Sequence, residues 1–564
     1  MKLSKNKKII SFCFTNLLGL ALIALVGLWL LRGLLSTGFP TTHDGENHLA
    51  RLANLHLAVI DRNFPFRWAQ NLNYKFGYPV FNFNYYLPEA FALIPLKLGF
   101  SIEVSLKIVI ILSFIAGGFG CYLFLSQYFR RLPALIGALF YLSFPYQLVN
   151  VFVRGNVGEI LAAGIFPFLF WIFTKFYQEK TRIWLTLSFL FLVLFFLSHN
   201  ITVMLGTPLL LIYTILVGKD SSQRNRWWLT VILIFVLSWG VCQFFWLPLL
   251  LEKKFTNIDL INSTHDYISH FPTLRQLIHS SWGYGFSEKG PNDGFAFELG
   301  PFHWLALVGV TVPLFLRIKK LRHDRSLIIG LFFLISLVGF IFLMNQISMP
   351  IWQLIPFLRY TQFPWRLLIL TILPLSFLTA FLTKKWPAIG IILAIGAIIY
   401  IGNLAKPRGL FHWYDMFYYL FPFDTNVNGE NMPRWFNLEK NIALEGKFFG
   451  NLEQVQFKEI SWKTQKHLYE LSATQETTVS ERTTYFPGWE VKIDNQPTKI
   501  SYQEVNYPGL ISFVVPQGKH LVETQFTENT LPRLWGDRIS ILSMLVIAIF
   551  IIINKFPYAK ASKK

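Results

Sequence analysis

The chain has 564 residues, of which 53% are hydrophobic, 17% are aromatic and only 15% are charged. Soluble globular domains carry roughly 25% charged residues, so this composition excludes a soluble protein built from several ordinary domains. The aromatic content excludes a disordered chain, and 3 cysteines are too few for a disulfide scaffold. The net charge of +20 is spread over short loops between apolar segments, which is typical of membrane topology and not of nucleic-acid binding.

Apolar segments long enough to cross a bilayer recur along the chain. Crossing takes about 20 apolar residues, because every backbone amide in lipid must be hydrogen-bonded within a helix. The first such run follows a lysine-rich amino terminus and is too long for the apolar region of a signal peptide, so we interpret it as an uncleaved span. About twelve spans are predicted by this rule: 9–35, 102–129, 132–149, 159–176, 183–198, 201–217, 227–250, 300–316, 326–344, 364–383, 387–404 and 539–553.

The orientation of these spans follows from the basic residues in the short loops. These loops fall on one side together with the amino-terminal lysines, so that side is predicted to be the cytoplasm, with both termini there. The opposite side of the cell (plasma) membrane receives the long segments 36–101, 251–299, 345–363 and 405–537. All candidate chemistry is therefore predicted to be extracytoplasmic. The basic loops lie at 130–131, 175–182, 219–226, 317–325, 384–385 and 555–564.

The segment 405–537 is predicted to be an extracytoplasmic domain of its own. From about Asn451, apolar and polar residues alternate in short runs, as in half-buried strands. Turn-forming pairs such as Pro508-Gly509 separate the runs, which favours a compact antiparallel β-sandwich. The predicted organisation is a membrane core at 1–404, with extracytoplasmic loops at 36–101 and 251–299, a β-rich domain at 405–537, and a last transmembrane helix with a basic cytoplasmic tail at 538–564.

Ionisable residues are most concentrated just after the first span, in the segment 41–51. If Asp44 caps a helix there, Asp44 and His48 share one face, and Arg51 lies one turn beyond. This spacing is consistent with a capped interfacial helix whose charges are solvated. It is equally consistent with a base or metal ligand held just above the bilayer.

Other charged side chains near the predicted outer surface also need an explanation. Arg154 and Glu159, at the junction of the third and fourth spans, either pair with each other or face a site. His199 ends the fifth span and is either a hydrogen-bonded structural group or a functional group. Arg359 and Arg366 lie on the outer side, against the positive-inside rule. Guanidinium groups bind phosphate in bidentate fashion, and snorkelling towards headgroups is the alternative.

Several motifs along the chain match one family when they are taken together. They are His43-Asp44-Gly45-Glu46-Asn47-His48-Leu49-Ala50-Arg51, Phe66-Arg67-Trp68, Gly77-Tyr78-Pro79, Arg154-Gly155 with Glu159, Ser198-His199-Asn200, Trp282-Gly283-Tyr284-Gly285, Gln362-Phe363-Pro364-Trp365-Arg366 and Phe486-Pro487-Gly488-Trp489. In these motifs the chain resembles the bacterial multi-pass proteins known as 6-pyruvoyl-tetrahydropterin-synthase-related proteins. The soluble zinc enzyme behind that name has a fold of which this sequence shows nothing, so pterin chemistry is not expected.

That family in turn resembles the YfhO-like proteins and the GT-C superfamily of membrane glycosyltransferases. The resemblance implies a GT-C-like, all-α polytopic membrane bundle, to which we add the C-terminal β-sandwich domain. GT-C enzymes carry an acidic residue in the first extracytoplasmic loop and use polyprenyl-phosphate-linked sugars. By that resemblance Asp44 is the candidate catalytic base. Whether Glu46 or His48 assists it, or a divalent metal binds there, is left open.

These features predict a membrane glycosyltransferase. A site outside the cytoplasm cannot draw on nucleotide sugars, so the activated sugar must arrive on a lipid phosphate and pass to an envelope acceptor. One base and direct displacement predict inversion at the anomeric carbon. The candidate catalytic residues are Asp44, Glu46 and His48, and the candidate substrate-binding residues are Arg51, Arg154, Glu159, His199, Arg359, Trp365 and Arg366.

Two other functions fit the same sequence. A transporter or flippase for a lipid-linked saccharide would share the polar outer residues, but it also needs a polar path towards the cytoplasm. The spans carry few charges that could build such a path. A non-catalytic envelope scaffold would use only the β-rich domain, and the change Asp44→Asn would then be harmless.

Overall fold

The computed structural model describes residues 17–219, 222–259, 266–290, 292–316, 324–426 and 429–553. Most of the described chain is helical, and its strands are concentrated near the carboxyl end. The helices are α1 (Leu17–Leu30), α2 (Gly45–Ile60), α3 (Val80–Phe83), α4 (Leu87–Lys97), α5 (Ile102–Leu125), α6 (Arg131–Leu142), α7 (Pro145–Val149), α8 (Val157–Glu179), α9 (Arg182–Phe196), α10 (Asn200–Val217), α11 (Arg224–Val241), α12 (Gln243–Glu252), α13 (Leu274–Ile278), α14 (Pro301–Leu316), α15 (Arg325–Met344), α16 (Met349–Leu354), α17 (Leu368–Lys385), α18 (Pro387–Leu404), α19 (Asp415–Tyr419), α20 (Leu438–Asn441) and α21 (Leu531–Ile553).

Seven helical segments in the described part of the chain are long and apolar enough to cross a membrane, and two bent pairs raise this number to nine. One bend, of 42°, separates α6 from the helix that starts at Pro145, because proline lacks the amide hydrogen that would continue α6. Each of the predicted spans overlaps one of these nine segments or one of three shorter apolar helices, α1, α9 and α14. The exact number of twelve crossings stays a prediction, and the first part of span 9–35 lies outside the described residues.

Close helix packing builds the centre of the bundle. Helix α5 packs along α8, where a side chain on Gly164 would come within 2.5 Å of the backbone oxygen of Ser113. Glycine at this position therefore allows the two backbones to approach closely. Helix α17 packs between α6, α14 and α15, and the segment Pro364–Lys385 is 94% buried. The helices that surround the central ones expose apolar side chains outward, as a bilayer requires.

The predicted β-rich region contains two antiparallel sheets. One sheet has the strand order β4-β5-β10-β7-β8 and the other has the order β3-β6-β9. Buried residues of both sheets, including Tyr469, Leu471, Ile511 and Phe513, belong to one apolar cluster. The strands are β1 (Phe39–Pro40), β2 (Leu410–Phe411), β3 (Phe448–Gly450), β4 (Val455–Trp462), β5 (Lys466–Ala473), β6 (Thr477–Thr484), β7 (Trp489–Ile493), β8 (Gln496–Thr498), β9 (Leu510–Val515) and β10 (Gly518–Phe526).

The chain between α18 and β3 joins the sheets to the membrane core. Strand β2 pairs with β1 of the first loop, and the segment around Thr425 packs against α2. Trp68, Phe76 and Tyr78 of the first loop are buried, and Trp68 is in edge-to-face contact with Trp489, with ring centres 5.2 Å apart. Helix α21 begins at Leu531, within the predicted β-rich segment 405–537. The first loop is thus a packed element between the bundle and the sheets.

Candidate functional site

Asp44 occupies the cap position at the start of α2, as the sequence predicts, but its side chain makes no capping hydrogen bond. The Gly45 amide instead donates to the hydroxyl of Thr42 at 3.0 Å. The backbone amide of Asp44 donates to the carbonyl of Arg154 at 2.8 Å, which fixes the start of the helix against the end of the third span. No described residue donates a hydrogen bond to the Asp44 carboxylate, so the carboxylate is available to a ligand.

His48 and Arg51 follow Asp44 along the same face of α2, as predicted, and all three side chains line one cavity. His48 Nδ1 contacts the buried carboxylate of Glu89 at 2.6 Å. Arg51 donates from Nε to the Thr425 hydroxyl at 3.0 Å and from Nη2 to the Thr425 carbonyl at 2.6 Å. Both side chains are buried, so their orientation is set by these contacts.

Arg154 and Glu159 form a buried ion pair, which was one of the two alternatives left open by the sequence. Arg154 Nη1 lies 2.6 Å from Glu159 Oε2 and also donates to the Asn150 amide oxygen and the Tyr146 hydroxyl. The guanidinium lies 4.8 Å from the ring centre of Trp365. Arg154 also lines the cavity, whereas Glu159 lies behind it. The pair therefore both stabilises the bundle and places a positive charge at the cavity wall.

Arg359 and Arg366 belong to two short 3₁₀-helices, Pro356–Thr361 and Pro364–Leu367, and both line the same cavity. Arg366 donates from Nη1 to the Gln362 side-chain oxygen at 2.9 Å and to the Thr361 carbonyl at 3.1 Å. The Nε atoms of both arginines are buried and have no hydrogen-bond partner among the described residues. Buried donors are almost always paired, so two unpaired arginine Nε atoms in the lining of one cavity are unusual.

Two histidines border the same space. His199 caps α10 by accepting from the Thr202 amide at 3.2 Å, and burial lowers its pKa, so the ring is neutral at physiological pH. This structural role is the first of the two interpretations given above. His43, which the sequence did not single out by itself, stacks on Phe286 with ring centres 4.4 Å apart, and burial lowers its pKa as well.

The cavity has a volume of about 1020 Å³ and collects residues from distant parts of the chain. Eight of the ten predicted site residues line it. They are Asp44, His48, Arg51, Arg154, His199, Arg359, Trp365 and Arg366.

Glu46 and Glu159 do not line the cavity. Glu46 is half-buried on another side of α2, where burial raises the pKa of its carboxyl. No group of three or more His, Cys, Asp or Glu side chains that could hold a metal ion occurs in the described ranges. The residues near Asp44 therefore do not fit a metal site, and no step of the reaction proposed below uses one.

One wall of the cavity is apolar. It is formed by α10 together with α11 and α12, all of which belong to segments long enough to cross a membrane. The cavity therefore has a charged part at the outer loops and an apolar part between spans. The apolar lining residues are Phe196, Ile201, Val203, Met204, Pro208, Trp239, Trp246, Leu249 and Leu250.

Sequence reasoning missed a polar part of the cavity wall that Arg51 contacts. Asn84, Asn426 and Asn431 line it, together with Thr425. Asn84 follows the quoted motif Gly77-Tyr78-Pro79, and Tyr78 contacts the Thr425 hydroxyl at 2.6 Å through its own hydroxyl. The motif was the only local signal for this wall, and its spacing does not show which distant segment it contacts.

Comparison with known proteins places the chain among membrane proteins. A family model described as the 6-pyruvoyl-tetrahydropterin synthase related domain, a membrane protein, matches residues 81–406. No curated protein matches the chain.

Among solved structures, the arabinofuranosyltransferase AftD from Mycobacteria is similar at 18% identity and a TM-score of 0.47, over 70% of this chain and 27% of that one. The apo oligosaccharyltransferase of Archaeoglobus fulgidus is similar at 12% identity and a TM-score of 0.39, over 74% and 60% respectively. The chain thus matches less than two thirds of either protein's length.

Proposed function

The chain belongs to the family of membrane proteins with a 6-pyruvoyl-tetrahydropterin synthase related domain, and we propose that it is a membrane glycosyltransferase. In this proposal it moves a sugar from a polyprenyl-phosphate donor to an envelope acceptor. The observation that carries the proposal is one cavity that combines a free carboxylate at Asp44 with unpaired guanidinium donors at Arg359 and Arg366. The distribution of basic loops supports an extracytoplasmic position for this cavity in the plasma membrane.

The arginines are proposed to bind the phosphate of the donor. Arg359 and Arg366 each hold a buried Nε donor that no described residue accepts, and Arg154 adds a third positive charge at the same wall. Planar guanidinium groups match phosphate oxygens in bidentate geometry. As the sugar leaves, negative charge grows on the lipid phosphate, and these preorganised donors stabilise it.

The apolar wall is proposed to hold the lipid chain. A polyprenyl chain needs an apolar surface that continues from the phosphate into the membrane. The wall of α10, α11 and α12 offers such a surface next to the charged part of the cavity. Residues such as Met204 and Trp246 would replace lipid or water around the first isoprene units.

Asp44 is proposed to be the base. Its carboxylate takes the proton from an acceptor hydroxyl while that oxygen bonds to the anomeric carbon. The bond between the anomeric carbon and the phosphate oxygen breaks, and the lipid phosphate leaves with the bonding electrons. A single displacement of this kind inverts the anomeric centre, by analogy with glycosidases. His48, held by Glu89 through Nδ1, presents Nε2 as its remaining ring nitrogen beside this base.

A transporter is less well supported because the cavity does not continue across the bundle. A second cavity of about 160 Å³ lies between the other ends of α8 and α10, and it shares no lining residue with the first in the described chain. Tyr213 separates the two along α10, with its ring centre 4.6 Å from that of Phe170. Among the described residues, a lipid headgroup would have to displace these packed rings to pass between the two cavities.

The test is transfer of radiolabelled sugar from a panel of polyprenyl-phosphate sugars to envelope extract. We expect activity in the wild type and a loss of about 10²- to 10⁴-fold in Asp44→Asn, with unchanged thermal unfolding. Asp494→Asn makes the same chemical change on the exposed β-domain surface and serves as the control. Equal activity in Asp44→Asn would remove this residue from the mechanism. Bound donor without any transfer would favour the transporter or the scaffold.

A further inference from the structure

Three asparagines form a small cluster on the cavity wall that the proposed chemistry does not use. We name Asn84, Asn426 and Asn431 the amide cluster. Asn84 belongs to the first loop, whereas the other two belong to the segment that joins α18 to the β-sheets. The cluster therefore joins two distant segments at the cavity. Its hydrogen bonds show which of its polar atoms remain free for a ligand.

Asn426 is the fully bonded member of the amide cluster. Its side-chain oxygen accepts from Asn84 Nδ2 at 3.2 Å, from Asn431 Nδ2 at 3.0 Å and from Arg51 Nη2 at 3.4 Å. Its Nδ2 donates to the Tyr78 hydroxyl at 3.2 Å and to Asp424 Oδ1 at 3.1 Å. Asn426 therefore has no capacity left for a ligand and acts as the support of the other two.

The bonds to Asn426 fix the orientation of the two remaining amides. Asn84 and Asn431 each donate from the side-chain nitrogen to Asn426, so the side-chain oxygen of each is free to accept from another partner. No described residue donates to either oxygen, although Asn431 is only 3% exposed. Neither oxygen is among the fully enclosed unpaired atoms, so each can be reached by a molecule in the cavity. Both residues line the cavity, so the partner is expected to come from a bound molecule.

The amide cluster contacts α2 at Arg51, whereas Arg154 contacts the start of the same helix. The start of α2 is bonded to Arg154 through the Asp44 amide, whereas Arg51, seven residues along the helix, is bonded to Asn426. At 1.5 Å per residue this corresponds to about 10 Å along the helix axis. Asp44 thus lies at the Arg154 end of α2, about two helical turns from the residue that contacts the amide cluster.

Charged groups of both signs surround the amide cluster: the Arg51 guanidinium, which donates to Asn426, and two carboxyl groups. Asp424 accepts a bond from the Asn426 amide, and Glu430 lines the cavity beside Asn431. Burial and the nearby Glu430 raise the pKa of Asp424 to about 6, so a further negative group would meet at least one carboxylate at neutral pH. The two free oxygens accept hydrogen bonds, so the ligand that fits them supplies donors, as a neutral hydroxyl group does.

We propose that Asn84 and Asn431 form a subsite for the hydroxyl groups of a neutral sugar. This inference rests on the proposed glycosyltransferase function and names the class of sugar that the cavity accepts. Sugar hydroxyls can donate to both free amide oxygens, and a hydroxyl can also accept from other polar groups of the wall. The sugar comes either from the acceptor saccharide or from the donor lipid, and both sources present the same hydroxyl chemistry.

The experiment measures binding rather than transfer, so it can fail independently of the proposed catalysis. Purified full-length protein in nanodiscs is titrated calorimetrically with three kinds of probe. They are neutral linear tetrasaccharides of glucose and of mannose, polyprenyl phosphate without sugar, and polyprenyl-phosphate glucose or mannose. The variants are Asn84→Ala, Asn431→Ala and the double variant. Asn63→Ala is the matched control, because Asn63 is bonded to Thr464 and lies outside the cavity.

We expect the double variant to weaken tetrasaccharide binding about tenfold or more, while the affinity for bare polyprenyl phosphate stays unchanged. This result supports the subsite and assigns it to the acceptor. Weakening of sugar-bearing lipid alone, relative to bare lipid phosphate, supports the subsite and assigns it to the donor.

Two results would overturn the subsite. Equal weakening for bare phosphate would mean that the amides only hold the cavity in shape. Unchanged binding of every sugar-bearing probe, which includes no measurable binding of any of them by the wild type, would mean that the two oxygens serve no sugar. If sugars bind through these residues and no transfer occurs, the glycosyltransferase proposal fails and the subsite stands.

Discussion

Buried guanidinium nitrogens occur at two places in the described chain, and the two places differ in how these donors are paired. At the cavity, Arg366 uses one nitrogen for protein contacts, and Arg359 makes no side-chain hydrogen bond to a described residue. Where α21 meets the bundle, Arg533 is bonded through all three nitrogens, to Glu252 and to the carbonyls of Pro487 and Thr527. Arg67, next to it, is bonded through all three nitrogens as well.

The difference separates a structural network from a binding site. A guanidinium whose donors are all paired has no capacity for a ligand, and its burial is compensated by its partners. A guanidinium with buried, unpaired donors carries a desolvation cost that a bound anion would remove. By this comparison Arg533 and Arg67 hold α21 and the β-sheets to the bundle, whereas Arg359 and Arg366 are the arginines proposed to bind phosphate.

The largest loss of stability is expected at Arg533, because all of its guanidinium nitrogens are hydrogen-bonded. Arg533→Leu leaves the Glu252 carboxylate buried without its ion pair, and we expect the free energy of unfolding to fall by about 3–5 kcal/mol. Reversible denaturant unfolding of the full chain measures this loss. Arg538→Leu, on the exposed side of the same helix, should stay within about 0.5 kcal/mol of the wild type. A similar loss in both variants would contradict the comparison.

At the cavity we expect a large effect on ligand binding and a small effect on stability, because Arg366 contributes unpaired donors. Arg366→Gln should weaken the binding of polyprenyl phosphate about 10- to 100-fold, with little change in stability. Calorimetric titration and thermal unfolding of the same preparation check both parts. The control is Arg408→Gln, an exposed arginine outside the cavity. A large loss of stability with unchanged phosphate binding would place Arg366 with the structural arginines.

Like the pair of Arg533 and Glu252, a histidine–glutamate pair in the β-domain is buried, and its contribution to stability is expected to depend on pH. Glu481 contacts His467 at 2.6 Å. Burial alone would raise the pKa of Glu481, but the charge and hydrogen bond of His467 outweigh burial, and the pKa lies below its usual 4.5. The unfolded chain then binds a proton more readily than the native one. The stability from this pair is therefore complete above pH 4.5 and is lost as the pH falls through the native value.

Hydrogen exchange of strands β5 and β6, corrected for intrinsic rates, measures this dependence. Protection should decrease as the pH is lowered from 7 towards 3 in the wild type. Glu481→Gln should be less protected at pH 7 and lose little more on acidification, because it has no carboxylate to titrate. An unchanged acid response in Glu481→Gln would show that another group is responsible.

The smallest effect is expected at Glu46. Its carboxyl lies outside the cavity, so Glu46→Gln should transfer sugar at the wild-type rate, in contrast to Asp44→Asn. The same radiolabelled assay compares the two neighbouring acids directly. A loss in Glu46→Gln as large as that in Asp44→Asn would show that both carboxylates take part and that the cavity wall alone does not define the site.

Much of the site could be predicted where the relevant residues are close along the chain. Asp44, His48 and Arg51 share a face of α2 because helical periodicity sets that relation locally. Arg154 and Glu159 are five residues apart, and their pairing was one of the predicted alternatives. The family predicted from the motifs is confirmed by the match over residues 81–406. Trp489 is buried at 4% exposure, within the apolar cluster of the β-sheets.

The amide cluster could not be predicted in this way. The bond between Asn84 and Asn426 joins residues separated by 342 positions. Neither residue belongs to a periodic pattern, and asparagines in loops are ordinary turn formers. Only the packing of the 405–447 segment against the first loop brings these amides together and shows which oxygens remain free.

By itself, the sequence determined that the chain is a membrane protein with a β-rich carboxyl-terminal region and a charged first loop. Those properties depend on composition and on short-range periodicity, which each segment carries locally. The tertiary structure alone decided which arginines are paired and which are not, because pairing depends on the groups that distant segments place within 3 Å of a donor. It also decided that Asp44, the arginines and the amides share one cavity, since several loops converge there only when the helices that carry them pack together.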